Sequence, residues 1–305
     1  MIWFLLRRLL WMIGTLWAVF TVTFFLMHAV PGGPFSSERQ PPIGIKRAIE
    51  ARYNLDLPVW QQYLLELEKY LHGDFGLSFK MGDFSVREVI AAGLPVSATL
   101  GVLALAFALT LGLTAGIVSA VRRGGLLDFS LMSLATIGIA VPNFVVAGLL
   151  IILFVFIWPV FPAGGWGTPM QLVLPAVCLG ATFAAEIARL VRTGMLDVLN
   201  QDYIRTAYAK GLMTRAVVLH HAMKGAILPV VSFLGPAVAG ILTGSVVIEY
   251  VFAIPGLGYH FVQSATQRDY TVAMGLVMLY TVLLYTMNTV VDVAYTVLDP
   301  RVKLN

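Results

Sequence analysis

The feature that most constrains this chain is a series of apolar runs of 20 residues or more, separated by short stretches in which the charges gather. Such runs outlast any strand of a soluble core and match the roughly 20 residues a helix needs to cross a hydrocarbon layer of about 30 Å. Inside lipid every backbone N–H and C=O needs an internal partner, so each run must be a helix or a barrel strand. Barrel strands would be about 10 residues long with alternating polarity. These runs are longer and uniformly apolar. Charged residues make up 12% of the chain, against about 25% in a soluble domain. The pattern predicts an all-α, polytopic membrane protein.

Six transmembrane helices follow from the pattern. Arg7 and Arg8 precede an apolar stretch over residues 9–30. It is too long for a secretory signal and has no A-x-A site after it, so it reads as an uncleaved first span. Pro31-Gly-Gly-Pro34 ends it. A polar segment, 31–94, predicts an extramembrane insertion with short helices over 45–53 and 58–71, where Trp60, Leu64, Leu67 and Leu71 recur at helical spacing. Gly73-Asp-Phe-Gly76 predicts a turn. The remaining residues, 95–305, form the core, with spans over 95–121, 129–158, 172–195, 226–247 and 271–297. Pro95 is expected in a first helical turn. The 129–158 run is about 45 Å long as a helix, too long for the bilayer, so it must tilt, protrude or break, and Pro142 is the expected kink. Residues 249–270 read as an irregular loop.

Orientation follows from Lys and Arg in short loops. With the N-terminus inside, the inner segments hold Arg7, Arg8, Arg122, Arg123, Arg189, Arg192, Arg205, Lys210, Arg215, Lys224, Arg301 and Lys303, against Arg268 alone in the short outer loops. Both termini are therefore expected in the cytoplasm and the 31–94 insertion outside.

Several chemistries are excluded. No G-x-x-x-x-G-K-[ST] cradles nucleotide phosphates. No G-x-S-x-G or H-E-x-x-H supplies a nucleophile or zinc site. Cys178 stands alone in an apolar run, and the adjacent His220 and His221 point apart, so no metal site is expected. No span carries the dense acid, Arg or His relay of an ion-coupled pump. No catalytic constellation or metal site is visible, so a transporter of this composition would have to be a passive pore or borrow its energy. Gly112/Gly116 and Gly240/Gly244 are small-xxx-small pairs that permit close helix contact, inside the chain or between subunits.

The most informative piece is the cytoplasmic loop 196–229. Asp202 is placed to N-cap a short helix, Gly211 to close it at C′, and Lys210 to meet its dipole. Tyr203, Ala207 and Gly211 share one face, with Ile204 and Tyr208 beside it. Such a knob suits a groove on another protein, or a helix lying on lipid headgroups.

Asp202-Tyr-Ile-Arg-Thr-Ala-Tyr-Ala-Lys-Gly211, followed by His220-His-Ala-Met-Lys224 and Ile227-Leu-Pro229, resembles the coupling loop of ABC importer permeases. Arg205-Thr-Ala207 stands where the general motif has Glu-Ala-Ala, and seventeen residues separate Gly211 from Pro229. Val30-Pro-Gly-Gly-Pro-Phe35, Gly73-Asp-Phe-Gly-Leu-Ser-Phe79, Val141-Pro-Asn-Phe144, Gly244-Ser-Val-Val-Ile-Glu249, Ile254-Pro-Gly-Leu-Gly258 and Val297-Leu-Asp-Pro-Arg301 extend the resemblance to the dipeptide/oligopeptide branch over nearly the whole chain.

The resemblance implies a type I ABC importer permease fold in a bacterial inner membrane and ATP-driven peptide import. Its implied partners are a second homologous permease subunit, two cytoplasmic ATPase subunits that hold ATP and Mg, an extracytoplasmic peptide-binding protein and the peptide itself. ATPase coupling would then fall to Asp202, Tyr203, Ile204, Arg205, Ala207, Tyr208, Lys210 and Gly211. A peptide needs a wet, modestly polar path. Thr99, Asn143, Thr182, Ser245 and Glu249 are its expected lining, with Glu249 alternatively a solvated interfacial acid. A self-sufficient secondary transporter is the competing reading, but such a protein has no use for a docking helix.

Overall fold

The computed structural model describes residues 2–30, 53–82 and 84–298. The predicted 45–53 helix, the Pro31-Gly-Gly-Pro34 break and the basic pair Arg301 and Lys303 lie outside the described residues, apart from Tyr53. Among the described residues the chain is helical, with an isolated bridge between Leu77 and Ser85. Among the described residues five helices are long and apolar enough to cross a membrane, or six if one bent pair is a single span. The described residues divide into two compact units, those within 1–96 and 256–285 and those within 97–255 and 286–298.

In the first unit, α1 (Ile2–Ala29) is apolar all round and shows most of that surface; Trp3, Leu10, Trp11 and Trp17 are more than half exposed. A helix with that surface belongs in lipid. It already includes Arg7 and Arg8, and so starts earlier than expected. Phe20 and Phe24 are buried with Met274 against Tyr63 and Tyr70 of α2 (Val59–Leu71), the helix expected after Pro58. Gly73 and Gly76, at φ of 74° and 76°, make the predicted turn.

α3 (Val86–Val121) starts well before Pro95, which sits inside it. The reason is a capping box. The Ser85 N–H and hydroxyl donate to Glu88 Oε2 at 2.7 and 2.8 Å, and the Glu88 N–H donates to Ser85 Oγ at 3.2 Å.

The second unit is built on α6 (Pro169–Leu199), which enters through a capping box between Thr168 and Gln171. Along it, Ile187, Val191 and Met195 are fully buried. The expected span over 129–158 is broken: α4 (Leu126–Ala140) and α5 (Asn143–Ile151, continued by a π-helical turn Ile152–Ile157) meet at an angle of 108°. Val141 and Pro142 are the break, as a residue without an N–H dictates. Residues 158–168 join α5 to α6 without regular structure.

After α6 come α7 (Asp202–Ala209) and a helical stretch, α8, over residues 214–226 with a π-helical centre at Val217–Ala222. α9 (Leu228–Val251) carries Glu249 inside the helix. The supposed loop beyond it contains a further helix in the first unit, α10 (Leu257–Gln267). It was missed because its apolar positions are short and one-sided: Leu257 is buried among Val86, Val89 and Leu276 with Phe261 beside them, and its other face is polar. The last helix, α11, is Tyr270–Leu298.

Glycine sets the contact between α3 and α6. A Cβ on Gly112 would lie 2.7 Å from Ile187 Cβ and 2.8 Å from the Ala184 carbonyl. One on Gly116 would lie 2.6 Å from Val191 Cβ, and one on Gly180 of α6 would lie 2.5 Å from the Ala104 carbonyl of α3. The Gly112/Gly116 pair thus serves packing within the chain.

Candidate functional site

α7 is short, and its neighbours hold it. Gln201, not Asp202, occupies the N-cap position, and Asp202 is the first helical residue, where its charge still meets the positive end of the helix dipole. The C-terminus is a Schellman motif. The Gly211 N–H donates to the Tyr208 carbonyl at 2.9 Å and the Leu212 N–H to the Ala207 carbonyl at 3.4 Å, with Gly211 at φ 82°.

Ile204 is fully buried and Ala207 nearly so, in a cluster with Met195 of α6 and Val217, Val218 and Ala222 of α8. This corrects the expected docking face: Ala207 and Ile204 are turned into the chain's own core and anchor the helix. The surface left open presents Tyr203 and Tyr208, 49% and 42% exposed, with Asp202, Arg205, Lys210 and Gly211. The Arg205–Asp202 pair, at 3.4 Å, is on the surface and adds little stability.

A polar clasp that sequence reasoning missed ties α6 to the α3–α4 corner. Asp128, in the first turn of α4, is 5% exposed. It receives Arg192 Nε at 2.7 Å and Arg192 Nη2 at 2.9 Å, the Gly124 N–H at 2.9 Å and the Ser119 hydroxyl. The bidentate fork is the strong arrangement for this pair. A signal was present: an acid opening an apolar run is unusual enough to require a partner.

Of the five expected path residues, two come together. Pro142 has no N–H for the carbonyl four residues back, that of Gly138. Thr182 Oγ1 takes up this freed acceptor at 3.2 Å and lies 2.7 Å from Asn143 Oδ1. Thr99 lines a separate cavity of about 620 Å³ walled by Leu103, Phe107, Trp166 and Val177. Ser245 and Glu249, one helical turn apart on α9, are both buried, and Ser245 donates to the Leu242 carbonyl of its own helix at 3.0 Å.

Outside the spans, burial, reinforced by Glu66 and Asp74, raises the Tyr70 phenol above its usual range. Burial also holds His260 below the usual histidine range. Among the described residues no group of three His, Cys, Asp or Glu side chains could hold a metal.

Residues 112–304 match a family described as binding-protein-dependent transport system inner membrane component. The chain is 44% identical over 305 residues to the oligopeptide transport system permease protein OppB of Haemophilus influenzae, covering 99% of this chain and 100% of the relative. It is 45% identical over 302 residues to the dipeptide transport system permease protein DppB of Bacillus subtilis, covering 99% and 98%. Among solved structures, a chain of the inward-facing MetNI methionine ABC transporter aligns with a TM-score of 0.59 at 19% identity, covering 69% of this chain and 96% of that one. Identity that low speaks to the fold alone.

Proposed function

The chain belongs to the family of binding-protein-dependent transport system inner membrane components, and from that premise we propose that it is the membrane-spanning permease subunit of an ATP-driven peptide importer, forming half of the translocation pore. The relatives are named as oligopeptide and dipeptide permeases, which favours this reading over a self-sufficient secondary transporter. The rest of the assembly is a second homologous permease subunit, two cytoplasmic ATPase subunits that bind ATP and Mg and perform all the hydrolysis, and an extracytoplasmic binding protein that delivers peptide. The site is a bacterial inner membrane. Both termini and α7 face the cytoplasm in this reading, and the segment between α1 and α3 faces outward, which the basic residues of the short loops support.

The observation that carries the coupling role is the anchoring of α7. A lever must be stiff toward its load and open toward its drive. Ile204 and Ala207 lock α7 onto α6 and α8, so a displacement of α7 moves the end of a transmembrane helix. Tyr203, Arg205, Tyr208 and Lys210 remain open to a groove on the ATPase. Tyrosine supplies large contact area at low entropic cost, which suits a surface that engages and disengages. The path is assigned to Thr99, Asn143, Thr182 and Ser245, three hydroxyls and an amide that replace a peptide's water without selecting its side-chain charge, with Glu249 as the one fixed charge.

The experiment is purification of the tagged chain from native membranes, as wild type and as Tyr203→Ala with Tyr208→Ala. Loss of two interface anchors of about 1–2 kcal/mol each predicts a 10-fold or greater loss of co-purifying ATPase, with membrane insertion unchanged. Undiminished ATPase recovery would remove α7 from the interface.

A further inference from the structure

The first unit holds a buried carboxylate that the sequence did not single out. Asp269 lies between α10 and α11, where Arg268, in the left-handed conformation at φ 59°, ends the first helix and Tyr270 begins the second. It is 1% exposed. Its backbone carbonyl accepts the Ala273 N–H at 3.0 Å, so it sits at the N-cap of α11. Its carboxylate, however, is aimed mainly at another segment. Oδ1 accepts the Phe79 N–H at 3.1 Å and the Thr271 hydroxyl at 3.0 Å. Oδ2 accepts the Lys80 N–H at 3.3 Å and the hydroxyl of Ser78. Ser78, fully buried, in turn accepts the Met81 N–H at 2.7 Å. The Thr271 hydroxyl shares its single proton with the Leu77 carbonyl, the nearer acceptor at 2.7 Å.

Four consecutive residues, 77 to 80, are thus fastened to the first turn of α11 through one desolvated anion and one threonine, and Met81 is held to them through Ser78. A satisfied buried network of this kind is stiff: buried donors have little water to turn to, and the Ser78 hydroxyl and the Phe79 N–H would lose their acceptor if the segment moved alone. The fastened segment is the end of the Gly73–Phe79 motif, whose Gly73 and Gly76 bend it into a turn. α11 continues unbroken to Leu298.

We infer that Asp269 is the positioning residue of a relay, binding the extracytoplasmic 77–81 turn to α11 so that a load placed on that turn by the binding protein is delivered to a transmembrane helix. The inference rests on the importer reading above. It assigns Asp269, Ser78 and Thr271 a role in transmission, and none in contact with peptide.

The test uses the assembled complex in nanodiscs, with partner permease, ATPases and peptide-loaded binding protein, and reads two quantities. Amide exchange at Phe79 and Lys80 reports the fastening; the ratio of stimulated to unstimulated ATP hydrolysis reports the relay. Asp269→Asn and, as the milder lesion, Ser78→Ala are expected to speed exchange at both amides about 10-fold. They are also expected to cut the stimulation ratio by about fivefold, the lower end of common coupling factors. Thr271→Ser, which keeps the hydroxyl, should retain wild-type stimulation, and Thr271→Val should not. Unchanged exchange in Asp269→Asn would overturn the fastening. Faster exchange with undiminished stimulation would overturn the relay. A wild-type complex that no binding protein stimulates would instead overturn the importer reading, and the relay with it.

Discussion

Breaking the Asp128–Arg192 clasp should destabilise the second unit more than any comparable surface change, and the structure sets the size. Asp128 has four donors, two of them from Arg192. Its side chain is 7% exposed, that of Arg192 28%. Removing one partner of a fully buried pair costs about 3–5 kcal/mol, because the other charge stays behind desolvated. Here Ser119 and Gly124 still serve the carboxylate, and Arg192 is partly wet, which places Arg192→Met near the lower end. A loss of about 3 kcal/mol corresponds to a roughly 150-fold shift in the unfolding equilibrium. Removing both charges, Asp128→Leu with Arg192→Met, leaves no orphaned ion and should cost less than Arg192→Met alone. The assay is reversible unfolding of the purified chain in mixed micelles, followed by helicity, for both singles and the double. Single and double costs that simply add, or an Arg192→Met cost below about 0.5 kcal/mol, would refute the reasoning.

Three further outcomes follow from the geometry. Gly112→Val and Gly116→Val each place a Cβ within 3 Å of α6, force α3 from it and should cost at least about 1–3 kcal/mol in the same unfolding assay; wild-type stability would disprove the close contact. Cysteines at His72 and Thr214 should react with a membrane-impermeant reagent from opposite sides of intact cells; labelling of both from one side would refute the topology. His260 is held neutral by burial in the folded chain, while the unfolded chain takes up a proton near pH 6.5. The stability this contributes is intact above that pH and lost as the pH falls below it. His260→Phe should flatten the acid side of a stability–pH profile, and an unchanged slope would exclude His260 as its source.

What was legible in the sequence was what lipid and proline enforce. Apolar runs exposed the spans because lipid tolerates nothing else, and Pro142 marked the break because the chain cannot bond the Gly138 carbonyl in the ordinary way. Gly211 marked the end of α7 because a φ of 82° favours glycine. The misses share a cause: they depend on neighbours. The start of α3 was set by the reciprocal bonds of Ser85 and Glu88 rather than by where the apolar run begins. The periodicity of α7 grouped Ala207 with Tyr203, but which side faces inward is decided by Met195, Val217 and Val218. Asp128 finds its arginine 64 residues away, and Asp269 its serine 191 residues away. Spacing along a chain does not encode such pairs.

The central claim is that this chain moves peptide only as part of an ATP-driven assembly. Its most direct test is uptake of a labelled peptide into proteoliposomes that contain the purified complex and enclosed ATP, with binding protein outside. Peptide should accumulate only with ATP, and accumulation should stop when the ATPase subunits or the binding protein are left out. Peptide accumulation by this chain alone, driven by an ion gradient with no ATP present, would contradict it.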